Sequence, residues 1–204
     1  ETYISPTLNV SMTPYIANEM IIPQLADFQA QYPDINLVVQ TSMQLENLQD
    51  KNLDAAIRFG VPPWAEHDVA LISSAHFSLV ASQEYLDRHP IKESKDWNNQ
   101  TLIHSRTKAN DWQEFIDKHQ FIPEKELYFD SYDAGIRAAE EGLGIAMAVF
   151  PISRQKVTQG KLICLSQKQH PIKEAFYLVT KANNHKQNNY SILLAWLKDV
   201  ISSR

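Results

Sequence analysis

Strand and helix patterns alternate through the first 60 residues, and this alternation constrains the fold more than any other feature of the chain. Leu8, Val10 and Met12 alternate with Asn9 and Ser11, the period-two signature of a strand. Thr13 and Pro14 follow as helix N-cap and first helical residue, a position where proline loses no hydrogen bond. Ala17, Ile21, Leu25, Phe28 and Tyr32 recur at three- and four-residue steps, which predicts a long amphipathic helix with Pro23 as the place for a bend. Residues 35–41 read as a second strand, Leu45 and Leu48 mark a short helix, and 53–59 (LDAAIRF) form a third strand closed by Gly60. Strands separated by helices at this spacing imply a parallel, doubly wound α/β sheet.

A second set of patterns follows the loop VPPW at 61–64. Residues 69–72 and 77–81 are strand-like, 83–89 helical, and 101–104 a short strand. Trp112, Phe115 and Ile116 mark a helix ending near His119, and 127–129 lead into the stretch FDSYDAGIRAAEEGLGIAMAVFP at 129–151. There Ser131 can cap a helix, Asp133 suits the positive end of the helix dipole, and Gly142 permits the left-handed stop. Residues 145–150 then read as a buried strand. A helix at 154–159, strands at 162–165 and 176–180, and a last helix carrying Tyr190, Leu193, Leu194, Leu197 and Ile201 complete the chain. The expected organisation is two βαβαβ-type subdomains. Residues 1–75 plus 180–204 make the first and 76–179 the second, with two chain crossings that favour a hinged cleft.

Catalytic and metal patterns are missing from this sequence. Its histidines never pair at helical spacing, and neither a GxxxxGK[ST] phosphate loop nor a GxSxG nucleophile elbow occurs. Gly142 and Gly144 follow their helix, the wrong side for holding a dinucleotide pyrophosphate. Cys164 is the single cysteine and falls in a strand pattern, which excludes a disulfide within the chain and fits a reducing compartment. A net charge of −5 argues against nucleic acid as a direct partner of this chain. No apolar run reaches membrane-span length. The reading is of a non-enzyme without cofactors or metal.

What remains is a set of polar residues at the carboxyl ends of strands, where open α/β sheets bind ligands. Thr13 stands at the first strand-to-helix corner, Thr41 and Ser42 at the second, and Ser131 with Tyr132 at the corner after 127–129. Ser105 and Arg106 follow the strand ending at His104, and Arg106 could add a charge-assisted bond to an anion. His104 is included as a candidate, although a core or hinge role suits it better. Tyr177 lies in the expected crossing strand. Helix capping is the ordinary role of each hydroxyl; their shared position suggests a site for a small anionic molecule.

Several stretches together, LNVSMTPYIANEMIIPQLADFQAQYPDINLVV, LDAAIRFG, the 129–151 segment, GKLICL and FYLVTK, resemble the effector-binding domain of LysR-type transcriptional regulators. DAAIRFG and the Asp111-Trp112 pair are similar to the branch of the glycine-cleavage activator and the β-lactamase regulator. The resemblance implies two Rossmann-like subdomains in the type 2 periplasmic-binding-protein arrangement, with a small effector between them. It implies effector contacts at 13–16, at Thr41 and Ser42, at Ser131 and Tyr132, and at Tyr177; the bulk of Tyr15 would narrow the cleft. It further implies a winged helix-turn-helix DNA-binding domain before Glu1, outside this chain, through which alone promoter DNA is bound. A homodimer or homotetramer in the cytoplasm is expected, with no membrane association. The rival expectation is a periplasmic solute-binding protein of a transport system.

Overall fold

Thr13 turns the chain from strand to helix as its sequence predicts. The computed structural model describes residues 7–44, 48, 52–64, 67–105, 111–166, 170–181 and 187–202. Strand β1 (Thr7–Met12) ends immediately before Thr13, whose Oγ1 accepts a hydrogen bond from Ile16 N at 3.4 Å. Helical backbone continues from α1 (Pro14–Ile16) through a widened π-type turn at Ala17–Ile21 and a 3-10 turn at Ile22–Gln24 into α2 (Leu25–Gln31). The irregular turns surround Pro23, which has no N–H to give, so the expected bend is distributed over neighbouring turns. Ala17, Met20, Ile21 and Phe28 are buried, and Ile22 faces solvent. Full burial of a side chain such as Ile21 or Phe28 stabilises by about 1.5–3 kcal/mol.

The chain divides into two compact units, 1–75 with 172–204 and 76–171. In the first, β1 runs parallel to β2 (Asn36–Thr41) and to β3 (Ala55–Gly60). β3 pairs antiparallel with Ala175 to Thr180 of β9 (His170–Lys181). The final helix α7 (Gln187–Ser202) belongs to this unit, where Trp196 meets Phe28 edge-on at 4.8 Å.

In the second unit β5 (Thr101–Ser105) runs parallel to β6 (Lys125–Phe129) and to β7 (Ile145–Phe150). The later part of β4 (His67–Ala81) pairs antiparallel with β7 and with β8 (Ile163–Cys164). Helices α3 (Gln83–Arg88), α4 (Asp111–His119), α5 (Tyr132–Glu140) and α6 (Arg154–Thr158) complete it. Leu79, Tyr85, Leu102, Trp112, Phe121 and Ile145 form its core. Two polar groups of its aromatic side chains are satisfied there: Thr101 N donates to the Tyr85 hydroxyl at 2.8 Å, and Trp112 Nε1 donates to Ile103 O at 2.8 Å. Gly142 has a φ of 73°, the left-handed stop expected after α5. A Cβ on Gly144 would lie 2.6 Å from the Thr101 carbonyl oxygen, so glycine lets β7 start against β5.

Three expectations change. The strand-like segments 69–72 and 77–81 are one 15-residue strand, because Ser73 and Ser74 lie on its more open stretch and break no ladder. The last strand starts at His170, and the unit boundary falls at 171/172; Ala175 to Thr180 of this strand pair with β3 of the first unit. The strand at 162–165 shrinks to two residues, which leaves Cys164 half-buried instead of fully enclosed. The short helix expected around Leu45 falls mostly on residues 45–47 and 49–51, outside the described residues; Leu48 itself is buried.

Candidate functional site

Parallel pairing brings the first two corners together. Met12 is level with Thr41, and Ser42 N donates to Met12 O at 2.9 Å, so Thr13 and Ser42 are neighbours at the carboxyl ends of β1 and β2. Ser42 Oγ accepts from Gln44 N at 3.1 Å, as Thr13 Oγ1 accepts from Ile16 N. Each cap uses a lone pair of its hydroxyl and leaves the O–H proton to donate elsewhere. Thr41 is exposed at the end of β2, and Tyr15 is buried, 6% exposed.

The row continues across the sheet. Ser11 is level with Ala56 on β3. Arg58, further along β3, stands opposite Tyr177 on β9. Burial holds the Arg58 guanidinium below the usual arginine range. In the sequence, LDAAIRFG is a strand and part of the family resemblance, and Arg58 is not among the candidate site residues.

In the second unit Ser105 is level with Phe129. Ser131 Oγ accepts from Ala134 N at 3.2 Å, capping α5 and again keeping its proton to donate. Tyr132 turns the other way. Its hydroxyl oxygen accepts from Val149 N at 2.5 Å and lies 3.1 Å from Ser153 Oγ, so it braces α5 against β7. Tyr132 and Ser105, with Ile103, Trp112, Gly135 and Ile136, line a small open hollow.

His104 does not join these corners. Strand alternation puts Ile103 and Ser105 on the hollow's side and His104 on the other. There His104 is 8% exposed, stacks on Tyr128 at 4.5 Å, and holds Nε2 3.1 Å from Glu126 Oε1. Burial pulls its pKa below 6.5, against the opposing pull of the Glu126 carboxylate. Arg106 lies outside the described residues. Among the described residues no three His, Cys, Asp or Glu side chains converge as metal ligands.

Two α/β units joined by two chain crossings fit a type 2 periplasmic-binding-protein-like domain. Residues 2–202 match the family model for the LysR substrate binding domain, and the chain belongs to that family. It is 26% identical over 196 residues to a glycine cleavage system transcriptional activator homolog of Haemophilus influenzae, covering 94% of this chain and 64% of that one. It is 25% identical over 195 residues to the glycine cleavage system transcriptional activator of Escherichia coli K12, covering 93% and 63%. The chain thus spans somewhat under two thirds of these relatives. Among solved structures, the AmpR effector binding domain from Citrobacter freundii superposes with a TM-score of 0.79 at 20% identity, covering 98% of this chain and all 100% of that one. The CrgA regulatory domain from Neisseria meningitidis gives 0.74 at 22%, covering 97% and 99%. No helix among the described residues is long and apolar enough to cross a membrane.

Proposed function

We propose that this chain senses a small anionic metabolite, held in the cleft between its two units, and that in the whole protein this controls DNA binding and transcription. The observation that carries the reading is the repeated state of three hydroxyls. Thr13, Ser42 and Ser131 each accept a backbone N–H and keep an O–H to donate. Donors with their acceptor capacity engaged favour a ligand made of acceptors, such as a carboxylate. Thr41 and Tyr177 extend the set, Arg106 would add charge, and Tyr15 would limit ligand size. Tyr132 is assigned to bracing the corner and His104 to the core.

The names of the relatives, transcriptional activators of the glycine cleavage system, support the regulatory setting and do not favour the transport receptor. In that setting a separate N-terminal module would bind promoter DNA, and the whole protein would work in the cytoplasm as a homodimer or homotetramer. To switch anything, the effector must bind one arrangement of the protein more tightly than another.

Calorimetry with an effector found by thermal-shift screening tests the site. Thr13→Ala and Ser131→Ala should each weaken binding about ten-fold, the worth of a hydrogen bond to a charged group. Unchanged affinity in both variants would refute the assignment.

A further inference from the structure

We infer that the first unit carries a second small-molecule site, between α7 and the strands β4 and β9, and that it takes an organic amine with a compact apolar body. The site is separate from the strand-end hydroxyls: Thr13, Ser42 and Ser131 do not line it. It is a pocket of about 140 Å³, open on one side, whose described lining residues all belong to the first unit. Leu178 and Thr180 share a face of β9, as strand residues two apart do, and Tyr190 and Leu194 share a face of α7 at helical spacing. Leu178 and Tyr190, 2% and 6% exposed, close the deep side. Ala70 and Leu194 are half-buried walls, and Asp68 with Val69 forms the solvent-facing mouth. An apolar cavity of about 150 Å³ admits one benzene molecule, so a six-membered ring or a branched alkyl group fits.

Thr180 gives the pocket its polar point. The residue is 8% exposed, yet no group among the described residues hydrogen-bonds to its hydroxyl, and that oxygen is not sealed off from the pocket. A hydroxyl withdrawn from bulk water without a protein partner is costly unless a molecule in the pocket completes it. Charge then decides the class of that molecule. Asp68 makes no ion pair among the described residues, and no lysine or arginine is among the described lining residues. Burial and the nearby Asp54 carboxylate push the Tyr190 hydroxyl up to about 12. The same surroundings that keep Tyr190 from ionising reject a bound carboxylate. Asp68 and Thr180 stand on neighbouring strands. An ammonium has three donors and no acceptor, which suits the carboxylate of one and the hydroxyl lone pairs of the other.

Benzylamine, benzyl alcohol and benzoate share a ring and differ in charge, so they test the inference on the 204-residue chain. Binding is read by two-dimensional NMR at the methyl groups of Val69, Leu178 and Leu194 in a valine- and leucine-labelled chain. Replacing each in turn by isoleucine assigns the signals. Benzylamine should shift them along a saturating curve. Benzyl alcohol should bind about five-fold more weakly, the upper worth of an exposed ion pair, and benzoate more weakly still. Asp68→Asn, a change at an exposed side chain, should bring benzylamine down to the level of benzyl alcohol. Thr180→Val keeps the shape, removes the hydroxyl and should cost about five-fold, as for one hydrogen bond. No saturable shift at these signals, or benzyl alcohol or benzoate binding there as tightly as benzylamine, would overturn the inference in wild type alone. An unchanged benzylamine affinity in folded Asp68→Asn or Thr180→Val would also overturn it. Thr13→Ala and Ser131→Ala should leave the curve unaltered; its loss in either would overturn the separateness of the site. The strand-end reading can therefore fail while this site stands, and the reverse.

Discussion

At the scale of single residues, the chain separates hydroxyls that cap from histidines that pack. His104 is the sharper case, because its pKa is depressed by burial and only partly restored by Glu126. Folding therefore favours its neutral form. The associated stability is complete above about pH 6.5 and is lost as pH falls through the lower folded pKa. His76, lowered by burial and by the Arg154 charge, contributes with the same sign. Urea midpoints measured between about pH 5 and 7 should drop toward acid in wild type and drop less in His104→Gln. An unchanged slope in that variant would contradict the packing assigned to His104. The caps at Thr13 and Ser131 were legible in the sequence, since a cap is a local bargain between a hydroxyl and the next turn. The inward turn of Tyr132 was not, because Val149 and Ser153 come from later in the chain.

Among the elements, α5 was the most readable and β4 the least. Ser131, Gly142 and the apolar face of Ile136, Ala138 and Ala139 specify α5 completely from nearby residues. The lengths of β4 and β9 were underestimated, because both are set by partners far away in sequence and not by an unbroken apolar alternation. A contact between elements that no pattern announces is the ion pair of Glu140 on α5 with Lys156 on α6, at 2.9 Å with side chains only 4% and 12% exposed. Glu140→Ala would remove the carboxylate that the Lys156 ammonium meets in that enclosed place. It should cost about 3 kcal/mol in chemical denaturation, the usual penalty for breaking a buried ion pair from one side. Glu140→Leu combined with Lys156→Met should recover most of the loss, since neither charge then remains. A single variant as stable as wild type would show the pair to be solvated.

For the whole molecule, the alternation of strands and helices sufficed to specify parallel α/β units, and family membership is established over residues 2–202. The compact units divide at 75/76 and 171/172. What sequence patterns could not give is the identity of the effector, since ligand choice depends on side chains gathered from many strand ends. The central claim is that this domain binds a small anion through those ends. It is tested most directly by a thermal-shift screen of small carboxylates against their neutral amides. A cognate carboxylate at about 100 times its Kd stabilises the folded state by about 2.7 kcal/mol, a rise in Tm of roughly 5–10 °C, while its amide should give almost none. Stabilisation by neutral or cationic metabolites with no response to any carboxylate would contradict the account.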